Sequence, residues 1–240
     1  LLGHGSGGKL SHDLITGLFF RHFNNPVLQR QTDSAVVNLG EEELAFTTDS
    51  FVVDPIFFPG GDIGKLAVCG TVNDLAVSGA TPLYLSAGFI IEEGFPLSML
   101  EQIVKSMSQE AANAGITIVT GDTKVVNRGK CDKIFINTAG IGKISKTHHH
   151  ISYGEKLQAG DKIIINGSIG DHGMAVLAAR QDLNIQSDIV SDCASLHAII
   201  RQVLDQSAGV KFMRDATRGG LATVLAELAE KHHVGVSIDE

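Results

Sequence analysis

The sequence lacks long hydrophobic runs, closely spaced cysteines and an excess of basic residues. No apolar stretch in its 240 residues reaches the roughly 18 that a membrane helix needs, and no basic-then-apolar signal opens it, so we expect a cytoplasmic protein without a membrane partner. Cys69, Cys131 and Cys193 lack the spacing of a metal site, which predicts reduced thiols rather than a disulfide framework. The net charge of −8 disfavours nucleic acid as a general partner.

The length of the chain suits two compact domains, each with its own core. The apolar pattern lapses between residues 145 and 160, so we expect an amino-terminal domain over 1–148 and a second domain over 155–240. The sequence does not begin with Met, and its last apolar run has no following strand to pair with. We therefore expect the second domain to be incomplete in this chain.

A helix is predicted over residues 62–78, where apolar residues recur at helical spacing between a Gly-Gly pair and a Pro. Its other face carries a track of mostly small residues, Ile63, Ala67 and Gly70, which ends at Asp74. Such a track lets a backbone or a ligand approach closely. Asp74 is therefore a candidate functional acid, and the alternative is an ordinary solvated aspartate.

The remaining elements are predicted from the spacing of apolar residues and from turn residues. Further helices are expected at residues 11–23, 98–114, 173–181, 193–206 and 218–230, and strands at 34–39, 44–48, 83–91, 116–119, 133–141, 162–166 and 234–238. Ser11 is the expected N-cap of the first of these helices, with Leu14, Ile15 and Leu18 facing inward. Ser98 and Glu101 predict a capping box at the next one.

Aspartates recur at the ends of predicted strands and the starts of predicted helices, beside Gly, Ser, Thr or Asn. Hard cations such as Mg²⁺ take carboxylate oxygens and usually bring substrate phosphates with them, so several acids in one cleft would suit Mg-ATP. Asp171 and Asp215 are interpreted instead as caps of helices and turns. The acids interpreted as candidate metal ligands are Asp33, Asp49, Asp74 and Asp122.

Three glycine-rich segments could offer backbone N–H groups to phosphate oxygens: the amino-terminal loop, a predicted polar loop at residues 120–124, and residues 214–220. None of them matches a Walker A or a dinucleotide-binding fingerprint. Lys124 could neutralise a transferring phosphoryl group, and the alternative is a solvated loop lysine. The candidate nucleotide contacts from the first two segments are Gly5, Ser6, Gly7, Gly8, Gly121, Asp122, Thr123 and Lys124.

Histidine and cysteine give weaker indications of chemistry. His4 and His172 lie in glycine-rich loops and could act as acid or base, although surface histidines are more often not catalytic. Residues 148–150 are three successive histidines that could hold a metal only loosely, because no second ligand cluster accompanies them. Cys69 is interpreted as a small buried apolar residue.

Six blocks of the sequence, taken together, resemble the HypE family of [NiFe]-hydrogenase maturation proteins. These blocks are residues 3–8, 46–55, 58–66, 73–80, 121–126 and 214–220. The resemblance runs nearly end to end, and the combination is far more specific than any one block. The family belongs to a superfamily of ATP-using enzymes that includes aminoimidazole ribonucleotide synthetase, selenophosphate synthetase and thiamine-monophosphate kinase.

The resemblance implies an α+β (mixed α/β) fold in two domains, of the aminoimidazole ribonucleotide synthetase type. Strands of the amino-terminal domain would form a barrel shared across a homodimer, with ATP near the interface, and the second α+β domain would complete the cleft. The four candidate acids are then expected to hold ATP and Mg²⁺. Asp74 and Lys124 become the expected catalytic residues, Asn73 would orient Asp74, and the amino-terminal glycine loop would fold over the nucleotide.

The activity implied by the resemblance is ATP-dependent dehydration of a carboxamide carried on a carboxy-terminal cysteine. The product is a thiocyanate, which becomes the cyanide ligand of the hydrogenase iron. HypF would supply the carbamoyl group, and the HypC-HypD complex would accept the cyanide. The sequence stops at Glu240, before the position of the family's carrier cysteine, so we expect this chain to bind nucleotide and to be inactive alone.

Two alternatives remain open at this point. The first is another enzyme of the superfamily, although a selenophosphate synthetase would be expected to carry a reactive Cys or selenocysteine where this chain has His4 and Ser6. A thiamine-monophosphate kinase would not be expected to carry the block at residues 58–66. The second alternative is a non-catalytic docking protein of hydrogenase assembly, which would bind its partners with or without ATP.

Overall fold

A mixed β-sheet organises the amino-terminal part of the chain. The computed structural model describes residues 8–23, 25–40, 42–180 and 187–238. The strands are β1 (Ala35–Leu39), β2 (Glu42–Phe51), β3 (Phe57–Phe58), β4 (Gly61–Asp62), β5 (Ala80–Glu92), β6 (Thr117–Val126) and β7 (Ile134–Ile144). Five of them form one sheet in the order β1-β2-β7-β5-β6, and β3 pairs with β4 in a separate short ribbon.

Helices follow and connect these strands. They are α1 (Lys9–Leu14), α2 (Phe20–His22), α3 (Ile63–Val77), α4 (Leu97–Asn113), α5 (Asp171–Ala178), α6 (His197–Gln206) and α7 (Gly220–His232). A π-helical turn at Ile15–Phe19 joins α1 to α2, and short 3₁₀ turns lie at Leu28–Arg30 and His149–Ile151. Strands β5 and β6 are parallel because α4 carries the chain back between them, whereas the other neighbours in the sheet are antiparallel.

Helix α3 is buried between the sheet and α4. Residues on several sides of this helix, including Ile63, Val68 and Leu75, are fully buried. In the predicted small-residue track Gly70 admits the ring of Phe51, and the close backbone contact with α4 lies instead at Gly64, outside that track. The predicted span of the helix is confirmed.

Polar groups inside this packing are satisfied. Thr71 and Thr138 are buried between α3 and β7, and their hydroxyl oxygens are hydrogen-bonded to each other. Thr138 donates to the carbonyl of Ala67 at 3.2 Å, so the Thr71 hydroxyl is the donor to Thr138. At the start of the helix, the Asp62 carboxylate accepts the backbone N–H groups of Gly64 and Lys65.

The helix starts predicted from capping residues were wrong in two places. Helix α4 begins at Leu97 with Pro96 at its N-cap and no side-chain cap bond, so Ser98 and Glu101 form no capping box. The first helix begins at Lys9, and Ser11 is a buried residue within it rather than its N-cap. Ile15 and Leu18, which were expected to face inward, are exposed.

Several strands also differ from their predicted spans. Residues 120–124 lie inside β6 and do not form a loop. Strands β2 and β5 are longer than predicted, because their turn-like residues pair within the sheet. Residues 162–166 and 234–238 were predicted as strands, but the described chain is irregular there and supplies no strand to pair with them.

The face of the sheet opposite α3 is not covered by any described element. We define this outer sheet face by Phe46, Tyr84, Ile90 and Ile141, whose side chains are between 38% and 49% exposed. They come from three adjacent strands, since β2 pairs with β7 and β7 pairs with β5.

Among the described residues, no helix has the length and apolarity to cross a membrane.

Replacing Gly64 by Ala is expected to destabilise the protein by about 1–3 kcal/mol. A Cβ at this position would lie 2.5 Å from the carbonyl oxygen of Ile103, so α4 would have to move away from α3. The midpoint of urea unfolding measures this change. Gly17→Ala is the matched control, because no atom lies within 4 Å of its Cβ position. A Gly64 variant as stable as the Gly17 variant would contradict the close packing of the two helices.

Candidate functional site

Four aspartates from distant parts of the chain lie together beside α3. Asp33 precedes β1, Asp49 lies on β2, Asp74 lies near the end of α3, and Asp215 lies in the segment before α7. Their charges interact mutually, since the other three acids each raise the pKa of Asp74. We call this group, Asp33, Asp49, Asp74 and Asp215, the carboxylate cluster. Three of its members were predicted as metal ligands, whereas Asp215 was not.

The position of Asp74 is fixed by hydrogen bonds to its backbone and its side chain. The hydroxyls of Ser34 and Ser78 both donate to its carbonyl oxygen at 2.9 Å. Thr47 Oγ1 lies 2.9 Å from Asp74 Oδ2 and 2.9 Å from the carbonyl oxygen of Asp33. The Thr47 hydroxyl can donate its one proton to either oxygen, so it holds the Asp74 carboxylate beside the backbone of Asp33.

Burial makes the cluster costly to ionise. Desolvation raises the pKa of Asp33 from 3.8 to about 7, against the lowering effect of the Arg214 charge. Desolvation, with repulsion from the other three acids, raises the pKa of Asp74 to about 9. Burial also raises the pKa of Asp49 and of Asp215. The cluster therefore favours any ligand that brings positive charge.

Two arginines from the segment before α7 partly neutralise the cluster. Arg214 Nε lies 2.7 Å from Asp33 Oδ1, and its Nη2 lies 3.5 Å from Glu227 Oε2. Arg218 Nη2 lies 3.3 Å from Asp49 Oδ1. These arginines come from one of the glycine-rich blocks, so the chain near α7 supplies both a fourth acid and two cations to the site.

The donor set of the cluster fits Mg²⁺ in the way that nucleotide sites usually hold it. Carboxylate oxygens are hard ligands, and Mg²⁺ generally keeps several waters and takes only one or two carboxylates beside substrate phosphates. Within the described residues, no group of three or more acidic, histidine or cysteine side chains is close enough to hold one metal ion directly. The cluster therefore suits a water- and phosphate-assisted site rather than a closed protein cage.

Asp122 and Lys124 are not brought to the carboxylate cluster. Asp122 lies on the outer sheet face. It belongs to a row of directly paired residues that crosses four strands and therefore shares one face: Asp122, Gly88, Asn137 and Ser50. Asp49 adjoins Ser50 and points to the opposite face. Asp122 Oδ2 and Lys124 Nζ are 3.9 Å apart and largely exposed, at the edge of a cavity of about 350 Å³.

Three other predicted contacts also have a different setting. Gly121 is required by packing, because a Cβ there would lie 2.2 Å from the carbonyl oxygen of Ala87 on β5. Thr123 is exposed on β6. Gly8 is the N-cap of α1 with a φ of 76°. The predicted contacts Gly5, Ser6 and Gly7, and His4 with them, lie outside the described residues.

Asn73 does not orient Asp74, contrary to the prediction. Its Nδ2 donates to the carbonyl of Ala194 at 3.0 Å, and its Oδ1 accepts the backbone N–H of Leu196 at 2.8 Å. Neighbouring residues of a helix point to different sides, so Asn73 holds the segment before α6 while Asp74 faces the cluster.

Neither of the two aspartates interpreted as caps is the N-cap of a helix. Asp171 is the first residue of α5 after Gly170 at the N-cap, and its carboxylate accepts the hydroxyl of Ser168. Asp215 lies well before α7, whose N-cap is Gly219, so its interpretation as a helix cap was wrong. Residues 214–220, one of the six blocks that carry the family resemblance, are the signal in the sequence that could have identified Asp215 as a site residue.

The histidines make local hydrogen bonds. His172 Nδ1 lies 2.9 Å from Ser191 Oγ, and burial lowers the pKa of this histidine. His149 Nδ1 lies 2.8 Å from Glu43 Oε2, and His150 Nε2 lies 3.0 Å from the carbonyl oxygen of Val210. In the described structure these rings therefore serve packing between segments.

Two family models match most of the chain. Residues 31–144 match the amino-terminal domain of AIR synthase related proteins, and residues 158–240 match the carboxy-terminal domain of the same proteins. Among curated relatives, carbamoyl dehydratase HypE of Escherichia coli (strain K12) is 51% identical over 244 residues, which cover 100% of this chain and 72% of that protein.

Solved structures give the same relationship. A crystal structure of a HypE-HypF complex matches with a TM-score of 0.84 and 48% identity, covering 92% of this chain and 70% of the other. A crystal structure of the hydrogenase maturation protein HypE in complex with ATP matches with a TM-score of 0.75 and 53% identity, covering 96% and 68%. The chain belongs to the HypE family and shares its two-domain α+β fold.

Proposed function

We propose that the protein is an ATP-dependent carbamoyl dehydratase of [NiFe]-hydrogenase maturation. The observation that carries the proposal is the carboxylate cluster, in which, among the described residues, two of the four partly buried acids form ion pairs with two arginines. Such a surplus of acidic oxygens is typical of a site for Mg²⁺ with a nucleoside triphosphate. The related HypE structure with ATP supports the choice of nucleotide.

The proposed reaction converts a cysteine-bound carboxamide into a thiocyanate, which supplies the cyanide ligand of the hydrogenase iron. An amide oxygen is a poor leaving group, and bound Mg-ATP supplies the phosphoryl group that makes it a good one. Loss of both protons from the amide nitrogen and departure of phosphate then leave the nitrile. The protein must therefore supply charge neutralisation, a fixed amide oxygen and a proton acceptor.

The residues of the cluster divide this work. One or two carboxylates of Asp33, Asp49, Asp74 and Asp215 would ligate Mg²⁺, and the others would accept hydrogen bonds from its waters. Arg214 and Arg218 lie beside these acids and can supply positive charge to phosphate oxygens. Asp74 and Lys124 are the proposed catalytic residues, with Lys124 neutralising the transferring phosphoryl group.

Lys124 lies on the opposite face of the sheet from the carboxylate cluster of its own chain. We therefore also propose a homodimer, in which Lys124 would approach the carboxylate cluster of the partner. The outer sheet face exposes Phe46, Tyr84, Ile90 and Ile141, an apolar surface of the kind that a second copy covers. Joining two such faces would give the shared barrel implied by the family. Asp122 and Lys124 share this face, because they pair with Gly88 and Ile90, so the dimer would carry these two side chains towards the partner's nucleotide. The amino-terminal loop at residues 5–8 remains a proposed cover of that nucleotide.

The proposed partners follow from the reaction. HypF is the proposed carbamoyl donor, supported by the related HypE-HypF complex, and the HypC-HypD complex is the proposed cyanide acceptor. The proposed compartment is the cytoplasm. The proposed domains are residues 1–148, which carry most of the acids and the dimer surface, and residues 155–240, which carry the two arginines.

Asp74→Asn is expected to weaken Mg-ATP binding by at least about tenfold, or about 1.4 kcal/mol. The amide keeps the shape of the side chain but cannot give its negative charge to Mg²⁺. Isothermal titration calorimetry with a non-hydrolysable ATP analogue and Mg²⁺ measures the affinity. Asp188→Asn removes an exposed acid outside the cluster and should leave the affinity unchanged. Equal affinities for the two variants would remove Asp74 from the nucleotide site.

The metal-free protein is expected to lose stability as the pH rises through the folded pKa values, about 7 for Asp33 and about 9 for Asp74. Above about pH 4 the unfolded chain releases protons that the folded state still holds. The contribution of these two carboxyl groups to the free energy of unfolding is therefore largest below that pH and decreases as the pH rises. Asp74→Asn removes the negative charge that this side chain would acquire at high pH. It should raise the thermal midpoint at pH 9 by at least about 3 °C and flatten the pH dependence.

Thermal scans in EDTA between pH 5 and 9 measure this effect, with Asp188→Asn as the control for surface charge. A wild-type protein whose midpoint is constant or rises from pH 7 to 9, with no gain from Asp74→Asn, would contradict the buried, raised-pKa state of the cluster.

Tyr84→Glu is expected to convert a dimer into a monomer. A carboxylate in the middle of a buried apolar interface is costly to desolvate, so the dissociation constant should rise at least about a hundredfold. Sedimentation velocity measures the oligomeric state. Leu97→Glu places the same charge at an exposed leucine of α4, away from the outer sheet face, and should leave the dimer intact. A wild-type monomer, or a dimer that survives Tyr84→Glu, would exclude the outer sheet face as the interface.

A further inference from the structure

The segment before α6 is fixed against one side of α3. Cys69 and Asn73 lie one turn apart on that side of the helix. The Asn73 amide holds the backbone of Ala194 and of Leu196, at 3.0 Å and 2.8 Å. Two bonds from one side chain leave this backbone little freedom, so the residue preceding Ala194 is held opposite the preceding turn of α3.

A second set of contacts fixes the other end of the same segment. The backbone N–H of Ser191 donates to the carbonyl of Pro59 at 2.8 Å. Gly60 lies so close that a Cβ there would be 2.7 Å from the carbonyl oxygen of Ser191. The Ser191 hydroxyl also accepts the backbone N–H of Cys193 at 3.1 Å. Cys193 is therefore held between two anchored residues.

These anchors bring two thiols close together. Cys69 and Cys193 are far apart in the sequence, but each of the two thiols shifts the pKa of the other. Cys69 is only 2% exposed, and its Sγ also lies 3.8 Å from Glu110 Oε2. Cys193 is half-buried, so a reagent from solution can reach it first. Both cysteines are free thiols in the structure.

The surroundings distinguish the two sulfurs. The neighbouring Cys69 thiol lowers the pKa of Cys193, against the effect of burial, and the nearby Lys65 charge lowers it further. The neighbouring Cys193 sulfur and burial raise the pKa of Cys69. Lys65 is held in place by a 3.1 Å bond from its Nζ to the carbonyl of Gly60. Cys193 is thus the sulfur with more thiolate character, and Cys69 is the neighbouring thiol.

We propose that Cys69 and Cys193 form a reversible disulfide with each other when the protein meets a small-molecule disulfide such as oxidised glutathione. The inference does not depend on the proposed enzymatic activity. It concerns a modification that joins α3, in the region of the amino-terminal family model, to the segment before α6, in the region of the carboxy-terminal one.

The exchange balances in two steps. The Cys193 thiolate attacks one sulfur of oxidised glutathione, which breaks its S–S bond and releases one glutathione thiolate. The Cys69 thiol then gives up its proton and attacks Cys193 Sγ, which releases the second glutathione. The two protein thiols are oxidised, one glutathione disulfide is reduced to two thiols, and the two protons pass to the departing glutathione.

The expected product is identified by peptide mapping under non-reducing conditions. After equilibration with oxidised glutathione, the peptides that contain Cys69 and Cys193 should be recovered as one linked species, and dithiothreitol should separate them. The cross-link closes a long loop of the chain, so the oxidised protein should unfold at least about 5 °C higher than the reduced protein.

Matched variants separate this pair from unspecific oxidation. Cys131→Ser removes the third cysteine and should leave the linked species unchanged. Cys193→Ser and Cys69→Ala should each abolish it, and Cys69→Ala should leave a glutathione adduct on Cys193. A link to Cys131, a stable glutathione adduct on Cys193 in the wild-type protein, or thiols that stay free in excess oxidised glutathione would each overturn the proposal.

Discussion

Burial of α3 on the sheet is the interaction on which the rest of the structure depends. Ile63, Val68 and Leu75 are inaccessible to solvent, and each such side chain contributes about 1.5–3 kcal/mol relative to an exposed one. Because the helix is held from several sides, its rotation about its own axis is fixed. That rotation directs Asp74 to the carboxylate cluster and Asn73 to the segment before α6. The packing of apolar residues on α3 thereby sets the positions of Asp74 and Asn73.

The carboxylate cluster is the part of the fold that works against stability. Burial and mutual repulsion raise the pKa values of its acids, and two arginines offset only part of that cost. A protein selected only for stability would replace such a group by apolar residues. The cluster is therefore best explained by a ligand that brings the missing positive charge. The related HypE structure with ATP supports our proposal that this ligand is a nucleotide with Mg²⁺.

The sequence was sufficient for features that depend on local spacing and insufficient for those that depend on distant contacts. Helix α3 was predicted because its apolar repeat is strong and continuous. An edge strand with polar residues shows no alternation of hydrophobicity, so the prediction of a loop at residues 120–124 was wrong. Only the strand shows that Asp122 faces away from Asp49. Asp215 was missed because its neighbours in space come from β2 and α3, which no local pattern reveals.

The arrangement of the cluster along the chain has a consequence for how the protein can be divided. Asp33, Asp49 and Asp74 precede residue 144, whereas Arg214 and Arg218 follow residue 158. A polypeptide that ended between these regions would bury three acids without either counter-ion. Those acids would have to stay protonated or bind another cation. Excising the amino-terminal region alone therefore separates its acids from the cations that partly neutralise them.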